Sequence, residues 1–172
     1  MIHKPQPDEF VPFYNTYISK VPDVDVLELL TKLKDSSYAL FSNLSDEQAN
    51  YAYGEGKWTV KEALGHMIDT ERTFAYRLFC FSRNFVDLPG FDQDIYVNNA
   101  NFNSRTIQSL AAEFKATRES NIYMIGSLTE EQQVRKGIAS GNPATVRALV
   151  YMLAGHELHH LGLFKEKYNI GN

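Results

Sequence analysis

Thr59-Val60-Lys61-Glu62-Ala63-Leu64-Gly65-His66-Met67-Ile68 opens the most legible helix of this chain. The Thr59 hydroxyl can cap the first turn while Glu62, three residues on, answers it, the reciprocal pairing of a capping box. From there Leu64, His66, Met67, Phe74, Leu78 and Phe81 recur at helical spacing to about Arg83. On the N-terminal side, a block from about Asp25 to Leu44 carries an apolar face of Leu29, Leu30, Leu33, Tyr38, Leu40, Phe41 and Leu44. Ser45-Asp46-Glu47-Gln48 then reads as a cap and short turn, followed by Gly54 and Gly56. On the C-terminal side, Ser104 to Leu128 carries Ile107, Leu110, Phe114, Ile122 and Ile125. A last block follows Gly141-Asn142-Pro143, with Pro143 suited to a first helical turn, and runs to about Tyr168. A short hairpin near Val134 to Ser140 is the one β candidate. Four helices of roughly 20 to 25 residues in one domain predict an all-α fold, a four-helix bundle. The expected domain spans residues 1–172, with 1–24 an N-terminal extension packed on the bundle. Asn84 to Asn103, between the second and third helices, holds Pro89-Gly90 and an Asn/Asp cluster with little helical signal. A connection of that length is more often functional or wrapped over a surface than a simple link, and it permits a crossover.

The last helix contains Gly155-His156-Glu157-Leu158-His159-His160. At about 100° per residue, His156 and His160 stand about 40° apart on one face, so two imidazoles can share a metal ion. The segment also satisfies His-Glu-x-x-His, in which the glutamate activates a zinc-bound water. The extended form of that motif needs a histidine at position 166, where this chain has Glu166. Glu166 lies about 120° off the His160 direction on the same helix and cannot close back on the ion. A third ligand must come from upstream. His3 lies in a Pro-rich segment and His159 points about 80° off the midline of the pair, which leaves His66 as the candidate. A structural metal site would be closed by a fourth protein ligand, and no Cys or His is placed to supply one, so the site is expected to be open.

Composition narrows the function. With 172 residues, 44% of them hydrophobic, the chain can bury a substantial core. A net charge of −4 without any Lys/Arg run argues against nucleic acid as the main partner. The single Cys80, set among aromatic and aliphatic residues, excludes an intramolecular disulfide and fits a buried position in a reducing compartment. No stretch approaches the ~18 consecutive apolar residues of a membrane span. The expectation is a soluble cytoplasmic protein without membrane or nucleic-acid partners.

Lys57-Trp58-Thr59-Val60-Lys61-Glu62, Gly65-His66-Met67-Ile68-Asp69-Thr70-Glu71-Arg72, Leu88-Pro89-Gly90-Phe91-Asp92 and Val146-Arg147-Ala148-Leu149, followed by the histidine segment, together resemble the DinB-like superfamily. Within it the chain is similar to the YfiT-type metal-dependent hydrolases, over roughly Tyr17 to Tyr168. The resemblance implies a four-helix bundle, often a homodimer, with three histidines holding nickel, zinc or a similar divalent ion. Carried onto this chain, those ligands fall on His66, His156 and His160. It also implies a small-molecule substrate, with relatives that hydrolyse or transfer adducts of low-molecular-weight thiols such as bacillithiol. Membership supports the site more strongly than any one reaction.

Around the ligands, several roles stay open. Glu157 reads either as a general base acting through metal-bound water or as a helix-surface or supporting carboxylate. Asp69 or Glu71 could orient the second ring nitrogen of His66, and His159 reads as a surface or supporting residue. Trp58 reads as packing at the helix entrance or as a pocket wall. Phe74, Tyr76, Phe79 and Phe81 read as core and interface material. The leading expectation is a metal-dependent hydrolase or thiol-dependent transferase. The alternative is a non-enzymatic bundle serving dimerisation or stress-linked interaction.

Overall fold

The computed structural model describes residues 1–171. Its helices are α1 (Asn15–Ile18), α2 (Val26–Ser42), α3 (Asp46–Asn50), α4 (Val60–Ser82), α5 (Gln93–Ala100), α6 (Ile107–Gly126), α7 (Glu130–Gln133) and α8 (Val146–Tyr168). Three short strands, β1 (Asp87–Leu88), β2 (Lys136–Ala139) and β3 (Asn142–Thr145), form a small sheet in the order β1-β2-β3. The four long helices α2, α4, α6 and α8 make the bundle, and each begins at a side-chain cap. Asp25 accepts from the amides of Leu27 and Glu28, Thr106 from Ser109 and Thr145 from Ala148. Thr59 and Glu62 form the reciprocal box that their spacing predicts.

The principal packings are α2 on α6, α4 on α8 and α4 on α6, with α2 closing the ring against α8. Two apolar clusters fill the interior at different heights. Leu30, Phe74, Leu78, Phe81, Ile125, Leu149 and Leu153 belong to one, and Phe41, Leu64, Ile68, Ile107, Leu110, Phe114 and Phe164 to the other. Following the chain through them gives the topology. Helices α2 and α8 run from the first cluster to the second, whereas α4 and α6 run from the second to the first. The bundle is therefore up-down-down-up, and the chain crosses its length once, through the long connection between α4 and α6.

A polar layer separates the clusters. Arg118 of α6, fully buried, holds Glu71 of α4 through Nε and Nη2, both at 2.8 Å, and Glu157 of α8 through Nη1 at 2.5 Å. Ser37 of α2 donates to the other Glu157 oxygen at 2.6 Å, and Asn121 donates to Glu71 at 2.8 Å. Every long helix thus contributes to one hydrogen-bonded cluster.

Two readings from sequence need correction. Gly141-Asn142-Pro143 does not start the last helix. Ser140 and Gly141 take positive φ (55° and 73°) as the two-residue turn of a hairpin, and Asn142 and Pro143 begin β3. Pro143 is tolerated because β3 is an edge strand, where a missing N–H costs no ladder bond. The helix starts three residues later, behind Thr145. The hairpin itself was expected, but its second strand lies beyond Ser140. Second, the connection from Asn84 to Asn103 is not structureless, for it contains β1 and α5. Helix α5 buries only Val97, so it lacks the periodic apolar face that would reveal it, and only its Asp92 cap was available as a signal. Of the aromatic run in α4, Phe74 and Phe81 are core, while Tyr76 and Phe79 are 56% and 46% exposed.

The N-terminal segment lies along α8, with Ile18 and Val21 buried in the first cluster. Glu9 pairs with Arg147 and accepts from Thr145. A Cβ at Gly155 would run into the Tyr17 carbonyl, so only glycine lets this segment lie so close to the helix. Gly65 plays the same part on α4, where a Cβ would strike the Phe102 ring at the end of the long connection.

Replacing Arg118 alone with Met should cost on the order of 3–5 kcal/mol, because two buried carboxylates lose their cation together. Urea unfolding checks this, and a loss under about 1 kcal/mol would be in the range of an exposed ion pair and contradict the burial described.

Candidate metal centre

His66 lies two turns into α4, and His156 and His160 lie one turn apart on the facing side of α8. All three are buried, at 3%, 6% and 9% exposure. Their ligating atoms lie within 4.8 Å of one another. His156 Nε2 is 3.2 Å from His66 Nε2 and 3.1 Å from His160 Nε2. A neutral imidazole nitrogen offers either one N–H or one lone pair, so His156 Nε2 can satisfy at most one of these neighbours. The convergence is better matched to a cation. Nitrogens about 2.0–2.1 Å from a shared ion stand roughly 3.3 Å apart in a tetrahedron and about 3.0 Å apart in an octahedron, which bracket the spacing seen. The donor set therefore fits a divalent metal without selecting nickel or zinc.

The rings are suited to ligation in their charge state as well. Burial lowers the His66 pKa to about 4, and burial followed by repulsion from His66 and His159 lowers that of His160 to about 3. Burial, then the neighbouring histidines and Arg118, holds His156 well below its ordinary value. At neutral pH all three imidazoles are uncharged.

The surrounding residues resolve the roles left open by sequence. Glu157 is neither on the helix surface nor free to act as a base. It is 1% exposed, both its oxygens are hydrogen-bonded, and burial raises its pKa against the opposing pull of Arg118. Neither Asp69 nor Glu71 orients His66. Glu71 is held by Arg118 and Asn121, Asp69 faces Arg72 at 3.8 Å, and Thr70 Oγ1 stands 3.4 Å from His66 Nδ1. His159 is half-buried beside the cluster and outside it, its ring centroid 5.3 Å from that of His160. Trp58 is a pocket wall, with its ring centroid 4.9 Å from that of His66.

The triad stands between two cavities. One of about 400 Å³ is lined by His66, His160, His159, Trp58, Lys57 and Tyr168. The other, of about 220 Å³, is lined by His66, His156, Thr70, Phe74 and Arg77. Tyr17 lines both and packs edge-on to His156 at 5.4 Å between centroids. Tyr17, Arg77 and the Arg118 cluster were not singled out from sequence. Arg118 carried a usable signal: with Asn121 it falls on the apolar stripe of Ile107, Leu110, Phe114 and Ile125. A charge on such a stripe must be paired or placed at a site.

These depressed imidazoles link stability to acid. The unfolded chain, with histidines near their ordinary 6.5, binds protons that the fold excludes, so the metal-free protein is most stable above about pH 6.5. It loses stability as pH falls toward 4, by about 3 kcal/mol through His66. Urea unfolding of chelator-treated protein at pH 8 and pH 5 measures this. The wild type should lose more between the two than His66→Gln does, and equal losses would contradict a buried neutral ring.

The model for the DinB superfamily matches residues 29–164. A protein of Oceanobacillus iheyensis, named provisionally as a metal-dependent hydrolase, is 26% identical over 151 residues, covering 85% of this chain and 87% of that one. Among solved structures, YfiT from Bacillus subtilis superposes with a TM-score of 0.69 at 17% identity, covering 97% of this chain and 92% of its own. It is described provisionally as a metal-dependent hydrolase with an unusual four-helix-bundle topology, and at that identity the likeness speaks to the fold alone. The match over residues 29–164, which reaches into all four bundle helices and takes in all three histidines, establishes that this chain belongs to the DinB superfamily.

Proposed function

We propose that His66, His156 and His160 hold one divalent metal ion, nickel or zinc, and that the protein is a metal-dependent hydrolase of a small molecule. The observation that carries this reading is the convergence of three buried, neutral Nε2 atoms, with cavities on both sides and no fourth protein ligand in the cluster among the described residues. The provisional names of the Oceanobacillus and Bacillus relatives point the same way. An ion so held supplies Lewis acidity that favours deprotonated water or thiol at neutral pH. The same open position would accept a thiolate, so thiol-dependent transfer by a low-molecular-weight thiol belongs to the same screen.

The chain's own residues supply the rest. Trp58, Tyr53 and Tyr168 wall the larger cavity with aromatic surface. Glu157 and Glu71 are committed to Arg118, which leaves His159 as a titratable side chain beside the triad that no hydrogen bond ties down among the described residues. Burial, then Lys20, lowers its pKa, so at neutral pH the ring is uncharged and able to accept a proton from a group in the larger cavity.

Elemental analysis should find about one divalent ion per chain in wild-type protein, and less than a tenth of that in the His66→Ala, His156→Ala and His160→Ala variants, with helical circular dichroism largely kept. Stoichiometric metal in His66→Ala would sink the assignment. His159→Ala should keep its metal and lower kcat by about 10²-fold, the modest end of what a positioned acid or base contributes.

A further inference from the structure

Arg77 of α4 is 5% exposed, yet among the described residues no carboxylate pairs with it. The other deeply buried arginine, Arg118, holds two. Arg77 Nη2 donates to Ser140 Oγ at 2.9 Å and to the Pro89 carbonyl at 3.4 Å, both neutral acceptors. A guanidinium carries five N–H donors. Those on Nε and Nη1 meet no protein acceptor among the described residues, but neither atom is sealed from solvent. Arg77 lines the smaller cavity together with His66, Thr70 and His156, and on another side a cavity of about 290 Å³ with Tyr76 and Tyr96, so of the two it is the smaller cavity that joins the guanidinium to the histidines. Phe74 stands between the two functions, its ring centroid 5.9 Å from the guanidinium carbon and 6.0 Å from the His156 ring. Among the described residues Tyr14 is the titratable neighbour that bears on Arg77, and burial pulls the pKa of Arg77 down. A buried guanidinium without a counter-charge is expensive to maintain for structure alone, since neutral hydrogen bonds to Ser140 and Pro89 could be made by an uncharged side chain.

We infer that Arg77 is an oxyanion subsite: the ligand carries a carboxylate, phosphate or sulfonate that binds Arg77 in the smaller cavity while its reacting group reaches the histidine cluster. His66 and Arg77 lie on one face of α4, eleven residues and about 16 Å apart along the axis, and an arginine leans back toward its helix N-terminus. The two ends of the ligand are therefore separated by less than that distance, which calls for a chain of several atoms rather than a lone ion. Phe13 and Phe91, from the N-terminal segment and the long connection, wall the same cavity and would cover the intervening apolar part. The inference rests on the metal-centre reading only for what happens at the far end.

Inorganic phosphate, acetate and methanesulfonate titrated calorimetrically into chelator-treated protein test the subsite without any metal to attract them. Wild type is expected to bind at least one of the three at one site per chain, the tightest naming the headgroup. Arg77→Gln should bind it at least tenfold more weakly, while its metal content after reconstitution equals that of wild type. Should Arg77→Gln fail to fold, Arg77→Lys replaces it: the lysine keeps a cation and should retain binding, weakened at least threefold by the loss of the fixed N–H directions. No binding by wild type, or equal affinity in wild type and the variant that folds, overturns the subsite. Anion binding that depends on Arg77 in a protein that takes up no metal would instead overturn the metal reading and leave the subsite standing.

Discussion

The guanidinium of Arg118 is the constraint on which the rest of the bundle depends. It is fully buried, so its charge must be met by protein groups, and each of its partners has to arrive at a fixed height. Glu71 must come from α4, Glu157 from α8 and, through Glu157, Ser37 from α2. An apolar layer of the same volume would tolerate a helix sliding by part of a turn, whereas a fork bonded on three nitrogens does not. Buried ion clusters of this kind add little net stability, because desolvation offsets most of their attraction. Their contribution here is register. Glu157 is adjacent to His156, and Glu71 is little more than a turn beyond His66, so fixing the carboxylates on one guanidinium also fixes the two helices that carry the histidines.

The same cluster sets the electrostatics of the centre. Burial raises the pKa of Glu157 while Arg118 and Ser37 pull it down, beside three imidazoles that burial keeps uncharged. Arg118 adds to burial and to the neighbouring histidines in disfavouring a positive charge on His156. The protein thus separates two tasks that a metal-binding carboxylate would combine. The histidines stay neutral and convergent, and the buried ion pairs sit one layer away, where they tie the helices together.

Much of this was legible in the sequence, and the reasons differ by element. Helices α2, α4, α6 and α8 announce themselves by apolar residues at helical spacing, and α4 also by its Thr59 cap, because spacing and cap are local properties. The histidines were legible because His156 and His160 have a spacing that only a helix turns into proximity, and because His66 is the one upstream histidine placed within a helix. The partner of Glu157 was not legible. Its ion pair joins residues 39 apart in the chain, and a Glu beside a ligand histidine looks the same whether it faces water, metal or arginine. The turn at Ser140-Gly141 was misread because Gly-Asn-Pro can open a helix or a strand, and the decision rests on pairing with β2, a non-local contact. Helix α5 was missed because, lying on the surface of α4, it has no stripe to show.

Gly65 and Gly155 explain why those less legible parts matter. Each precedes a histidine of the triad, and each lacks the Cβ that would hold a covering segment away: Phe102 of the long connection in one case, the Tyr17 backbone in the other. The two segments with the weakest helical signal are thereby brought against the most tightly specified part of the core. They give no ligand to the cluster, but Tyr17 packs on His156, and Phe13, Phe91 and Gln93 line the smaller cavity. The bundle interior therefore holds the histidine cluster, which could bind a metal ion, and the segments laid over it shape the approach. The four helices can keep their register and their histidines while the covering segments change, because nothing in the Arg118 layer depends on the segments' side chains. The histidine cluster then bears on what the centre could hold, and residues such as Arg77, Trp58 and Tyr17, which face the cavities, on what it meets.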